Sequence, residues 1–170
     1  MSKSKLMITT AKIKALDPCK DRLDNWKNKY PKWKGTLSEF LDLPNITFQD
    51  KTWVYFRMID KTLVSKVAAT FAREVLYIYE SAYPNDDRPR KAIEAAERGD
   101  ANAAVNAAAN AANAAYAAAY AANAAYAAYA AVNAAVNAAA NVAYAVNAAY
   151  AAARAGTKED RLIMIMKEFL

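Results

Sequence analysis

The chain contains no histidine. Imidazole acid–base catalysis and histidine metal ligation are therefore closed to it. A single cysteine, Cys19, cannot form an internal disulfide, and it points to a reducing compartment. One cysteine without histidine cannot build a zinc site, and a cysteine nucleophile would lack its usual base. No catalytic constellation can be assembled, because Asp86 and Asp87 have no nucleophile or metal cluster to pair with. The reading is a non-enzyme with no cofactor and no metal. No signal peptide is expected, since Met-Ser-Lys-Ser-Lys-Leu leads into no apolar core.

Residues 101–155 hold no proline and no glycine, and only Ala, Asn, Tyr and Val occur there before Arg154. Alanine is the best helix former, so the stretch is predicted helical. Nine asparagines make it too polar for a membrane span. As one rod, its 55 residues would run about 80 Å. A compact chain of this size has a radius of gyration near roughly 15 Å. Asn102, Val105, Asn106, Asn110, Asn113, Tyr116 and Tyr120 keep to one helical face. The following steps, through Asn123, Tyr126, Tyr129 and Val132, are three residues each, and each rotates the stripe by roughly 60°. A break near Asn123 follows, with a second at Asn137 to Asn141. Burying alanine faces stabilises little per residue. An ice-binding surface would want spaced threonines, and none occurs in this stretch.

The net charge of +6 is unevenly placed. Up to Lys34 there are nine Lys and one Arg against three Asp, a balance of +7. A basic arm of this kind suits an acidic partner or nucleic acid, or is simply a solvated face. Within it, Lys27-Asn28-Lys29-Tyr30-Pro31-Lys32-Trp33-Lys34 interleaves cations with aromatics. That pattern fits base stacking with phosphate contact. It fits equally a loop whose rings turn inward. Trp26, Lys29, Trp33 and Lys34 are the candidate binding residues here.

Along the rest of the chain, Thr9 or Thr10 is predicted to cap a short helix carrying Ile13 and Leu16, and Asp17-Pro18 ends it. A second helix runs from Cys19 to Tyr30, with Cys19, Leu23, Trp26 and Tyr30 on one face. Gly35-Thr36 opens a third, where Thr36 and Glu39 have capping-box spacing. Trp53 with Phe56 suggests a buried helical turn. Residues 63–83 form the strongest amphipathic pattern, through Val64, Ala68, Phe71, Val75, Ile78 and Ala82. Tyr83-Pro84-Asn85 stops it. In Asn85-Asp86-Asp87-Arg88-Pro89-Arg90, Asp87 is predicted to cap a helix with Pro89 in its first turn. Four charges within residues 86–90 also make a compact ion-pair knot. Asp86, Asp87, Arg88 and Arg90 are candidate binding residues, with Arg154 beyond. Thr157 is predicted to cap a last helix with Asp160 at its third position. Its apolar side chains, Leu162 to Leu170, must dock on the bundle or on a partner.

Three stretches resemble a known family: Asp17-Pro18-Cys19-Lys20-Asp21-Arg22-Leu23; Trp53-Val54-Tyr55-Phe56 followed by Ala72-Arg73-Glu74-Val75-Leu76; and Pro84-Asn85-Asp86-Asp87-Arg88-Pro89-Arg90-Lys91-Ala92-Ile93 leading into alanine-rich helices. Together they resemble the alanine-rich immunity proteins of bacterial polymorphic-toxin loci and their phage-encoded relatives. That family's alanine repeats often carry His and Gly, where this chain has Asn and Tyr, a pattern more similar to the phage-type relatives. The resemblance implies a cytoplasmic inhibitor that binds a toxin or, if phage-encoded, a host defence or nucleic-acid enzyme.

The expectation is an all-α single domain over residues 1–170. It comprises a mixed helical half (1–100), packed alanine-rich helices (101–155) and a docking helix (157–170). A non-enzymatic inhibitor of another protein leads. A sponge holding a nucleotide or other small anion between helices, through tyrosine faces with Arg88, Arg90 and Arg154, is the alternative. Nucleic-acid binding through the basic arm is a third reading. A homodimer stays open, and no membrane association is expected.

Overall fold

The computed structural model describes residues 6–99, 151–153 and 156–170. The fold is all-α, and among these residues there is one small two-stranded ribbon. The expected breaks near Asn123 and Asn137 to Asn141, the candidate Arg154, and the side chain of Ala82 lie outside the described residues. The chain divides into two compact units, Met1–Ile59 with Leu170 and Asp60–Phe169, where the sequence suggests one domain.

In the first unit, β1 (Met7–Thr9) pairs antiparallel with β2 (Lys34–Thr36). Sequence reading misses this ribbon, because three-residue strands are too short to show alternation. Ile8 sits opposite Gly35, and both are buried. Helix α1 (Thr10–Ala15) starts directly from β1, capped by the Thr9 hydroxyl, which accepts the Lys12 N–H at 3.2 Å. Just past it, Asp17 takes a left-handed conformation (φ 56°), a usual way to leave a helix. Helix α2 (Lys20–Lys29) buries Trp26, whose indole N–H donates to the Thr10 hydroxyl at 3.0 Å. Cys19 occupies the N-cap of α2 and is exposed.

Helix α3 (Leu37–Leu41) carries the full capping box, with Thr36 and Glu39 each bonded to the other's backbone. The stretch around Trp53 and Phe56 is more than a turn: α4 runs from Phe48 to Met58. Its cap is Thr47, whose hydroxyl accepts the Asp50 N–H. Phe40, Leu41, Val54, Tyr55 and Phe56 are buried in this unit. The Tyr55 hydroxyl is pushed well above the usual phenol range by that burial.

The second unit is built on α5 (Lys61–Ala82), capped by Asp60, which accepts the Thr62 N–H at 2.8 Å. The predicted stripe is buried at Val64, Ala68, Phe71 and Val75, while Ile78 is half-buried. Val67, Ala69, Ala72, Leu76 and Tyr79 are buried as well. The buried face is therefore wider than one stripe, because among the described residues α5 packs against two helices. These are α6 (Arg88–Arg98) and the last helix, here α7 (Glu159–Glu168). Neighbouring residues of α5 tie one partner each. Arg73 holds Glu97 of α6 with two bonds of 2.7 Å. Glu74 accepts Arg161 of α7 at 3.2 and 2.8 Å. Leu162, Ile165 and Met166 are fully buried, as the apolar pattern of this helix demands.

Two predicted caps are corrected. Thr157 does not cap the last helix: Lys158 holds the N-cap position, and no side chain bonds there. Thr157 instead donates its backbone N–H to the Ala152 carbonyl, in the turn around Gly156. Asp87 stands at the N-cap of α6 but makes no capping bond, because its backbone is already helical (φ −88°, ψ 0°). At the other end, Gly99 closes α6 with φ +80°, a conformation that favours glycine.

Candidate functional site

The sequence singles out two charged stretches, and each lies within its own unit. In the first unit, the aromatics of the Lys27–Lys34 run turn inward. Trp26 is 4 % exposed and stands at the centre of a ring cluster. Tyr30 lies 5.2 Å from it, Trp33 meets it edge-on at 5.7 Å, and Phe40 lies at 5.8 Å. Such pairs stabilise beyond their buried area by roughly 0.5–1.5 kcal/mol each. Gly35 explains how Trp33 fits. A Cβ at that position would sit 2.7 Å from the Trp33 ring and 2.8 Å from a Glu39 carboxylate oxygen. Only a bare backbone lets ring and capping box close together.

The polar ends of this run are used in part. The Tyr30 hydroxyl donates to the Pro44 carbonyl. Lys29 donates to the Asn45 carbonyl at 3.1 Å, and Asn45 is left-handed there (φ 60°). Lys29 is thus half spent as a loop clasp. Lys27 reaches Asp24 only at 4.0 Å, with both groups about half exposed, so that pair adds little. Lys32 and Lys34 are exposed, and so are Lys12, Lys14 and Lys20, which sequence reading does not single out. None of these five has a carboxylate within ion-pair distance among the described residues. A sparing distribution of acids in residues 6–36 is the signal that could have marked them: only Asp17, Asp21 and Asp24 occur there.

In the second unit, the Asp86–Arg90 segment is a clamp between the end of α5 and the start of α6. Asp86 is its centre. Its carboxylate accepts the Tyr79 hydroxyl at 2.8 Å and two guanidinium bonds from Arg88, at 2.7 and 2.6 Å. It also accepts the Arg88 backbone N–H at 3.2 Å, and the Asp86 side chain is 16 % exposed. The Arg88 guanidinium holds the Asp86 carboxyl down at about 2, and the Tyr79 hydroxyl and the backbone N–H act in the same direction against burial. Burial, and donation to Asp86, push the Tyr79 hydroxyl well above the usual phenol range. Tyr83 packs on Tyr79 at 4.9 Å.

Arg90 does not join Asp86. It reaches back to Glu80 of α5 at 2.7 Å. Asp87 pairs with Lys91 at 2.8 Å on the exposed side. Every charge from Asp86 to Lys91 therefore has a partner close at hand. Tyr79 and Glu80, which complete the clamp, are absent from the sequence-derived set. Their signal was available in the seven- and ten-residue separations from Asp86 and Arg90, across the Pro84 turn.

The site residues fall into two groups: Trp26, Lys29, Trp33 and Lys34 belong to the first unit, and Asp86, Asp87, Arg88 and Arg90 to the second. Arg154 lies outside the described residues. Among the described residues no group of three Cys, Asp or Glu side chains is placed to hold a metal ion, and no helix is long and apolar enough to cross a membrane. In comparisons with known proteins, no family model, no curated protein and no solved structure matches the chain.

Proposed function

We propose that this protein is a non-enzymatic binding protein whose basic first unit engages an acidic surface of a protein target. One observation carries the reading. The rings of the Lys27–Lys34 run, Tyr30 and Trp33, are half-buried against the buried Trp26, while Lys12, Lys14, Lys20, Lys32 and Lys34 stand exposed without carboxylate partners among the described residues. Unpaired cations on a rigid aromatic base attract an acidic partner and speed its approach. The resemblance to alanine-rich immunity proteins supplies the target class: a toxin in a toxin locus, or a host defence or nucleic-acid enzyme if the chain is phage-encoded. Binding that occludes such a target is inhibition.

The other readings have less support. Base stacking needs open ring faces, and Trp26 is buried among Tyr30, Trp33 and Phe40, with Trp33 half-buried beside it. An anion pocket on Arg88 and Arg90 would first have to displace Asp86 and Glu80. Neither arginine is a waiting cation.

The test is capture of the target from lysate of the natural host, with quantitative mass spectrometry. Wild type would run beside Lys32→Gln/Lys34→Gln and Arg88→Ala/Arg90→Ala, each checked for folding. The expected outcome is one stoichiometric protein, retained by the arginine variant, lost by the lysine variant, and weakened steeply by salt. Retention by the lysine variant, or salt-independent binding, would sink the reading. Nucleic acid in place of a protein would replace it.

A further inference from the structure

Resting on that reading, we infer that the free edge of β1 is a docking strand for an extended acidic segment of the partner. The register carries the argument. Leu37 N–H donates to the Leu6 carbonyl at 2.7 Å, and the pairs Met7–Thr36, Ile8–Gly35 and Thr9–Lys34 follow in step. Hydrogen-bonded and non-hydrogen-bonded pairs alternate in an antiparallel ladder. Leu6–Leu37 and Ile8–Gly35 are thus the bonded pairs, so the N–H and C=O of Met7 and the N–H of Thr9 point away from β2. Among the described residues no group bonds to them.

The two edges of the ribbon differ. On β2 the outward N–H of Thr36 is already taken by the Glu39 carboxylate at 2.6 Å. The capping box closes that edge at Thr36, while the outward N–H and C=O of Lys34 have no bonded group among the described residues. Among the described residues the β1 edge has no such closure at Met7, which is 39 % exposed. Free strand edges take up extended peptides by main-chain bonding.

Charge selects the occupant. Lys34 is the cross-strand neighbour of Thr9, and both point to the exposed face, opposite the buried Ile8 and Gly35. Lys12 is bonded through its own N–H to the Thr9 hydroxyl. Lys34, on β2 across from Thr9, and Lys12, in the first turn of α1 next to Thr9, are thus two exposed cations in the vicinity of β1 without carboxylate partners among the described residues. They oppose the approach of a second copy, which would bring the same lysines. They favour a strand carrying alternate Asp or Glu, whose carboxylates reach Lys34 and Lys12 while its backbone pairs with Met7 and Thr9.

The experiment uses the full chain, labelled for amide-resolved NMR and hydrogen exchange. The probe is a blocked peptide of alternating Glu and Val. A control peptide of equal charge, with Pro in place of Val, cannot pair as a strand. Met7→Pro removes the outward donor and leaves the ladder bonds to β2 in place. Lys12→Gln/Lys34→Gln removes the charge. The strand-forming peptide should bind at least about fivefold more tightly than the control, protect the Met7 and Thr9 amides, and lose at least about fivefold with Met7→Pro. The lysine variant should also weaken it. Equal binding of both peptides, unmoved by Met7→Pro yet weakened by the lysine variant, would overturn the edge and keep the basic surface. No binding of either peptide would overturn both. Protection of Met7 and Thr9 on raising protein concentration alone would assign the edge to a second copy and overturn the acidic occupant. Amide protection on wild type decides the matter even if Met7→Pro fails to fold.

Discussion

The Lys27–Lys34 run and the Asp86–Lys91 segment look alike on paper, since both crowd charge into a few residues beside a proline. In space they are opposites. The second segment holds acids and bases two to four residues apart, and Glu80 and Tyr79 stand across the turn. Its charges close on one another: Arg88 on Asp86, Lys91 on Asp87, Arg90 on Glu80. The first run has cations only; its rings pack half-buried on Trp26, and Lys32 and Lys34 are left in water without a carboxylate among the described residues. Charge density alone does not mark a binding surface. The sign pattern does, because it decides whether the charges can be spent locally.

The largest expected effect breaks the clamp at its centre. Asp86→Ala removes the carboxylate that accepts a buried tyrosine hydroxyl and two guanidinium bonds. Denaturant unfolding should show a loss of about 2–3 kcal/mol. A loss below about 0.5 kcal/mol would show that the clamp is solvated rather than structural. Acid titration gives the next effect. Because the folded Asp86 carboxyl titrates at about 2, its contribution is fully present above the ordinary aspartate value of about 4 and fades as pH falls toward 2. The stability gap between wild type and Asp86→Asn should therefore close between about pH 4 and pH 2. A gap constant over that range would mean that the pair is not formed. The smallest effect comes from the other region. Lys32→Gln/Lys34→Gln should move stability by less than about 0.5 kcal/mol, while changing how salt affects partner binding.

Much of the helical frame is legible in the residues. The α5 stripe, the Thr36–Glu39 box and the stops at Asp17-Pro18 and Tyr83-Pro84 follow from local rules, and local interactions satisfy them. What escapes is decided by groups far apart in sequence or by too few residues to show a period. The ribbon rests on three residues a strand, and its pairing depends on Gly35 accepting the Trp33 ring. The side-chain cap expected of Asp87 is missing because its backbone is already helical, and Asp86 is held instead by Tyr79 and Arg88. The cap at Thr157 fails because the Gly156 turn claims that residue's backbone. Of the candidate site, the unpaired lysines were readable as a charge balance. Which of them remain without a partner was not, because Lys29 is taken by a carbonyl sixteen residues away.

The two neighbours Arg73 and Glu74 have one more consequence. Helix α5 offers a cation to α6 and an anion to α7, so each arriving helix must present the complementary sign. If α7 settled during folding in the place of α6, Arg161 would confront Arg73. If α6 took the place of α7, Glu97 would confront Glu74. Two adjacent side chains thus work as a pair of address labels that tell otherwise similar apolar helices where to land.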